Sequence, residues 1–282
     1  MEEKTILRKW WKGSMESIKK YNPFNTKDYY IIEKEGKKYF NYKNMLLELC
    51  DSGYVPKSGL LYDEVLTEES CKDKDVLDLG CGYLGILGLI AYSNGAKSVD
   101  SIDCDTECVK WFNKLIKENR LNSVKCFASD YYQNVNRRYD MILANPPQMP
   151  MLNGSVHDSG GIDGRKYILQ ILKESIPHLK DKGDLYLLLF DFLGLDKRTG
   201  DMPSLLEISK DFGYQASEEL CSVDKIIKPG SVTEESIPHI NSIYPYYDFG
   251  EEDKKCKIKI LKFRKWSYEG IFKKNNRWWY EY

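Results

Sequence analysis

Between residues 74 and 190 the chain alternates short apolar runs with longer stretches whose apolar residues recur every three or four positions. KDVLDL (74–79), SVDSID (98–103), SVKCFAS (123–129), YDMILA (139–144) and GDLYLLLF (183–190) read as strands. Helical spacing fills 83–93, 107–120, 165–179 and 204–214, the third bending near Pro177 and the last ended by Gly213. In the second of these, Val109, Phe112, Leu115 and Ile116 share one face. Parallel strands need a crossover to join them, so this alternation predicts an α/β fold: a doubly wound, mostly parallel sheet with helices on both sides. Downstream come a candidate strand at 219–227, a long polar loop, and CKIKILKF (256–263), which alternates as an edge strand does. Upstream, 29–42 reads as a β-hairpin turning at Glu35-Gly36. The predicted organisation is an N-terminal extension, 1–59, with a hairpin and a candidate substrate cap; a main domain, 60–265; and an aromatic, basic tail, 266–282.

Chemistry enters where strands end. LDLGCGYLGILG (77–88) places Gly80, Gly82 and Gly85 between a strand and a helix, where glycines let backbone approach a ligand and a helix start offers free N–H groups. The spacing also fits a dinucleotide fingerprint, and plain turns satisfy it too. Asp78, two residues before the first glycine, would repel a pyrophosphate and suits a ligand bearing an ammonium. Asp103 ends the second strand, placed to accept from ribose hydroxyls. Asp130-Tyr131 follows the third strand, where a carboxylate can meet an amino group and an aromatic can cover a ring. After the fourth strand stands Asn145-Pro146-Pro147-Gln148. Prolines lock φ and cannot donate a backbone bond, leaving the Asn145 side-chain oxygen and the Pro146 carbonyl as stiffly held acceptors.

This ordered series resembles the motifs of class I S-adenosylmethionine-dependent methyltransferases over roughly 55–195. Two further stretches, VPKSGLLYDEVL (55–66) and HDSGGIDGRKYILQIL (157–172), narrow the resemblance to the release-factor glutamine (N5-glutamine) methyltransferases, with NPPQ in place of NPPY. The first lacks the second proline and acidic pair usual there, and the N-terminal sixty residues do not resemble that family's helical recognition domain. The resemblance implies S-adenosylmethionine held by Asp78, Gly80, Cys81, Gly82, Gly85, Asp103, Cys104, Asp130, Tyr131 and Asn145. It implies catalysis by Asn145, Pro146, Pro147 and Gln148. Gly160, Gly161, Asp163 and Gly164 read as a loop closing over substrate, or as a helix cap at Asp163. Glutamine at 148 gives up an aromatic's stacking surface and adds a donor and an acceptor. A nucleobase acceptor is thereby disfavoured relative to a smaller or more polar one.

Composition narrows the partners. A net charge of −1 over 282 residues does not suit a protein that coats nucleic acid, yet from Lys254 onward ten basic residues face two acidic ones. That end reads as a contact for an anionic partner or as the solvated face of a last strand. Eight cysteines without a C-x-x-C pair, and three histidines, argue against a metal site. The absence of a leader-like or membrane-length apolar segment predicts a cytoplasmic protein with no membrane partner. The expected activity is methylation of a polar nitrogen on a small molecule or protein side chain. Base methylation of nucleic acid, S- or O-methylation, and a non-catalytic cofactor-binding partner are the alternatives; oligomeric state stays open. The tryptophan-rich KWWKG and NNRWWYEY are read as packing elements.

Overall fold

A computed structural model of the chain describes residues 19–21, 29–51, 54–151 and 158–266. A four-stranded antiparallel sheet comes first, built from β1 (Lys19–Tyr21), β2 (Tyr29–Lys34), β3 (Lys37–Tyr42) and β4 (Met45–Glu48). The expected hairpin is β2 and β3, with Glu35 and Gly36 both at positive φ, the geometry of a tight two-residue hairpin turn. Tyr29, Phe40 and Tyr42 lie against one another within the buried core. Beyond a 3-10 turn at Gly59–Glu64 the chain forms β5 (Asp75–Leu79), β6 (Ser98–Asp103), β7 (Val124–Ala128), β8 (Tyr139–Ala144), β9 (Leu179–Phe190), β10 (Tyr214–Ile226) and β11 (Lys255–Lys265). These make one sheet in the order β10-β11-β9-β8-β5-β6-β7. Among the described residues the α-helices are α1 (Glu68–Cys71), α2 (Ile86–Ser93), α3 (Thr106–Asn119), α4 (Lys166–Ser175), α5 (Leu205–Phe212) and α6 (Val232–Ile243).

Strands β5 to β9 pair in parallel, and β11 pairs antiparallel with both β9 and β10. The apolar runs are continuous because both faces of the central strands are covered; Val76 to Leu79 of β5 are all buried. Two expectations are corrected. The alternating run at 256–263 is not an edge strand: β11 lies between β9 and β10, and β10 is the edge. The long polar loop contains α6, started by Ser231, whose side chain accepts from Glu234 N–H, and carrying Pro238 inside it.

Opposite charges face each other across this flank. Lys255 pairs with Asp224, Lys259 with Glu219, Lys262 with Glu218, and Lys254 with Glu234 of α6. Arg264 forks onto Asp184 with two 2.7 Å bonds. The basic run is therefore largely neutralised within the fold; its members beyond Trp266 lie outside the described residues, as do KWWKG and the aromatic tail.

The N-terminal sheet is fastened to the larger one through α3. The Asn119 side chain accepts from Leu46 N–H at 3.0 Å and donates to Leu46 O at 3.1 Å. Glu48 meets Lys114 at 2.8 Å. From the 3-10 turn, the fully buried Tyr62 hydroxyl shares its proton between the carbonyls of Ala144 on β8 and Tyr186 on β9, at 2.9 and 3.0 Å. We expect Tyr62→Phe, which removes the donor and nothing else, to cost about 1–3 kcal/mol. Urea unfolding monitored by circular dichroism reads this out, and an unchanged midpoint would mean that both carbonyls find other donors.

Candidate active site

Because β5, β6, β7 and β8 run parallel, their C-terminal ends lie along one edge of the sheet, and the loops that follow gather there. After β5, Gly80 and Cys81 both donate to Ile102 O at 2.9 Å, and Gly82 N–H donates to Asp103 Oδ2 at 2.8 Å. Asp105 N–H binds the other Asp103 oxygen at 2.9 Å. Asp103 is thus oriented by backbone from two sides while remaining half-buried at the rim. Space is open where side chains on Gly80 and Gly82 would stand, so this stretch can take a ligand against its backbone.

Gly85 has a packing role. It opens α2 at φ +55°, and a Cβ there would come within 2.1 Å of the Phe112 ring; packing against α3 demands the glycine. Cys81 is buried, its sulfur 3.8 Å from that of Cys126, so its side chain faces the core. Cys104 is exposed beside Asp103. Asp130 is exposed beyond β7, and the half-buried Tyr131 at φ 47° lies 6.3 Å from the Tyr167 ring.

Asp78 lies beneath the loop with 1% exposure. Its Oδ2 accepts from Gly88 N–H at 2.9 Å, and its Oδ1 has no partner among the described residues. Ser101, the residue paired with it on β6, also has an unpartnered buried hydroxyl. Burial pushes the Asp78 carboxyl up to about 7, against the pull of the Gly88 bond and with help from the Asp103 charge. An unsatisfied buried carboxyl oxygen beside an open glycine backbone fits a cationic ligand group.

Beyond β8, Asn145 Nδ2 donates to Ser58 Oγ at 3.4 Å, and its Oδ1 has no partner among the described residues. Ser58 belongs to the segment before the 3-10 turn, 87 residues away in sequence, and nothing in the local pattern around either residue announces the pairing. Pro146 is buried and Pro147 half-buried. Gln148 departs from expectation. Rather than presenting its amide to a substrate, it is 4% exposed, donates to Leu188 O and Pro146 O, and accepts from Phe190 N–H. One lone pair of the Pro146 carbonyl is therefore already engaged. Beyond Pro147, Met149 bridges Ser159 and the Met151 N–H donates to Gly161 O at 3.0 Å. Asp163 accepts from Arg165 N–H rather than capping α4, and its carbonyl is held by Tyr244 Oη at 2.7 Å. Ile162 O meets His239 Nε2 at 2.9 Å.

Among the described residues no cluster of histidine, cysteine and carboxylates is suited to a metal ion, and no helix is long and apolar enough to cross a membrane. The model of the family described as "Methyltransferase small domain" matches residues 56–211. A Methanocaldococcus jannaschii protein provisionally named a protein N5-glutamine methyltransferase is 33% identical over 135 residues, which span 45% of this chain and 67% of that relative. A ribosomal RNA small subunit methyltransferase C from Actinobacillus succinogenes is 31% identical over 141 residues, 48% of this chain and 39% of its own length. Among solved structures, a T. thermophilus 16S rRNA N2 methyltransferase in complex with AdoMet and guanosine aligns with TM-score 0.49 at 19% identity, covering 84% of this chain and 50% of that one.

The Asp78 carboxyl makes a prediction of its own. With its value raised from 3.8 to about 7, it holds its proton more tightly in the folded chain than in the unfolded one. The stability it contributes is complete below about pH 4 and is lost as pH rises through about 7. Asp78→Asn should remove that fall, gaining on the native chain by roughly 2–4 kcal/mol between pH 4 and pH 8. Thermal unfolding of the ligand-free proteins across this range tests it; a difference that stays constant with pH would place the titration elsewhere.

Proposed function

The chain belongs to the methyltransferase small domain family, and from that premise we propose that it transfers a methyl group from S-adenosylmethionine to a polar nitrogen of a small molecule or protein side chain. The single observation that carries this is the acceptor pair at the end of β8. Asn145, turned by Ser58, offers Oδ1, and Pro146 offers a carbonyl fixed on one side by Gln148.

An amide or exocyclic amine has its lone pair delocalised. Two acceptors that bind its two N–H groups fix the nitrogen and favour positive charge building there. The nitrogen then forms its new N–C bond as the S–C bond of the donor breaks, and sheds its proton to solvent. Most of the rate comes from alignment, which accords with a site whose acceptors are held by neutral hydrogen bonds. For the methyl donor, the open backbone at Gly80 and Gly82, the rim carboxylate of Asp103 and the orphan oxygen of Asp78 suit a sugar and an ammonium. Asp130 and Tyr131 stand where an adenine edge and face would lie.

Nucleic acid is disfavoured as a partner by the pairing of Lys254, Lys255, Lys259, Lys262 and Arg264 with carboxylates of the same fold. A protein that neutralises phosphates keeps such charges free.

Tritiated S-adenosylmethionine incubated with the native chain and a cell extract, then split into RNA, protein and small-molecule fractions, should place label in protein or small molecules. Label confined to RNA overturns the substrate class. Asn145→Ala should lower turnover by about a hundred-fold or more, with S-adenosylhomocysteine affinity by calorimetry within about three-fold. A near-native rate would remove Asn145 from the mechanism. Asp103→Ala should instead weaken that affinity by about 1.5–3 kcal/mol, the worth of hydrogen bonds to a charged group.

A further inference from the structure

At the end of β9 one carbonyl and one amide proton face the place where β8 stops. Counting on from the Ala144–Leu187 pair brings Pro146 opposite Leu189. In a parallel ladder the residue opposite Leu189 donates its N–H to Leu188 O and accepts at its own carbonyl from Phe190 N–H. Pro146 has no N–H to give. The side chain of Gln148 makes both bonds in its stead: Nε2 donates to Leu188 O at 2.9 Å, and Oε1 accepts from Phe190 N–H at 2.8 Å. A primary amide has the same donor and acceptor as a peptide group, so one side chain stands in for a missing stretch of strand.

The exchange has a second effect. Since Oε1 takes the Phe190 proton, the Pro146 carbonyl is not drawn into the ladder. The remaining hydrogen of Nε2 holds that carbonyl from one side at 3.2 Å. Gln148 itself is clamped: a Cβ on Gly160 would stand 2.6 Å from its Cα, and one on Gly164 2.6 Å from its carbonyl oxygen. The glycines of the 160–164 stretch thus let the loop press directly on the residue that carries the amide.

We infer that Gln148 is a positioning residue: it supplies the ladder bonds that Pro146 cannot make and thereby aims the Pro146 carbonyl at the methyl acceptor without touching the acceptor itself. This rests on the Asn145–Pro146 reading above, and it makes position 148 a determinant of rate rather than of substrate choice.

The test compares native, Q148L and Q148E proteins, using the fraction labelled by the native chain as acceptor, from about pH 6 to about pH 9, a range that brackets a carboxyl raised by burial. Q148L should lose about ten- to a hundred-fold in kcat at every pH, with KM within about two-fold of native. Q148E with its carboxyl protonated still offers one donor and one acceptor, so its rate relative to native should be highest at the acid end. Deprotonation sets a charge against two carbonyl oxygens, and the ratio should fall as pH rises. S-adenosylhomocysteine affinity and the unfolding midpoint, taken at the acid end, establish that Q148E is folded there. A ratio that does not change with pH overturns the inference, and so does a raised KM at unchanged kcat, which would mean that residue 148 touches the acceptor. A native chain that labels no fraction overturns the function reading, and this inference with it.

Discussion

Two strands that run side by side must part somewhere, and their facing backbone groups must then find other partners or suffer the cost of burial without them. In this chain β8 and β9 part where Asn145 begins a pair of prolines, the residues least able to help. Tyr62 covers the last paired carbonyls from the 3-10 turn, and Gln148 covers the first unpaired groups from beyond the prolines. Between these two side chains lies a gap in the ladder. Asn145 and Pro146 occupy it, one held by Ser58 and the other by Gln148 in place of ladder bonds.

The same chemical device recurs at the other sheet. Asn119 gives and takes one hydrogen bond at Leu46, much as Gln148 does along β9. Side-chain amides suit this work because they imitate a peptide group without being bound to its neighbours. Around the site the fixed contacts are almost all neutral, and the titratable groups sit either at the rim, as Asp103 and Asp130 do, or buried with a raised value, as Asp78 is. Such a layout holds geometry steady while leaving one carboxyl able to respond to a cation beside it.

What could be read beforehand follows how local each signal is. The strands at 98–103 and 139–144 have the bounds expected, and Gly213 ends α5, because continuous apolar runs and turn residues act over a few positions. The turn that follows β5 at Gly80, and the strand ends at Asp103 and just before Asn145, were legible for the same reason. The place of β11 was not: an alternating strand is also produced when one row of side chains forms ion pairs with a neighbour, and nothing in 256–263 names that neighbour. α6 was hidden by Pro238, which reads as a breaker although the helix accommodates it. Gln148 was read as facing a substrate because polar residues usually face polar surroundings. Its actual partners, Leu188 and Phe190, lie some forty positions away and present only backbone, which carries no sequence signature. Ser58 was missed on the same grounds.

The charged rows that tie β10 to β11 and β9 give the molecule two flanks of unlike character. Dissolved ions screen exposed charges over about 10 Å at ordinary ionic strength, so added salt loosens the Lys259–Glu219 and Lys262–Glu218 flank and leaves the amide-held centre almost untouched. The outer strands β10 and β11 thus answer to the ionic medium, and the strand ends that hold Asn145 do not.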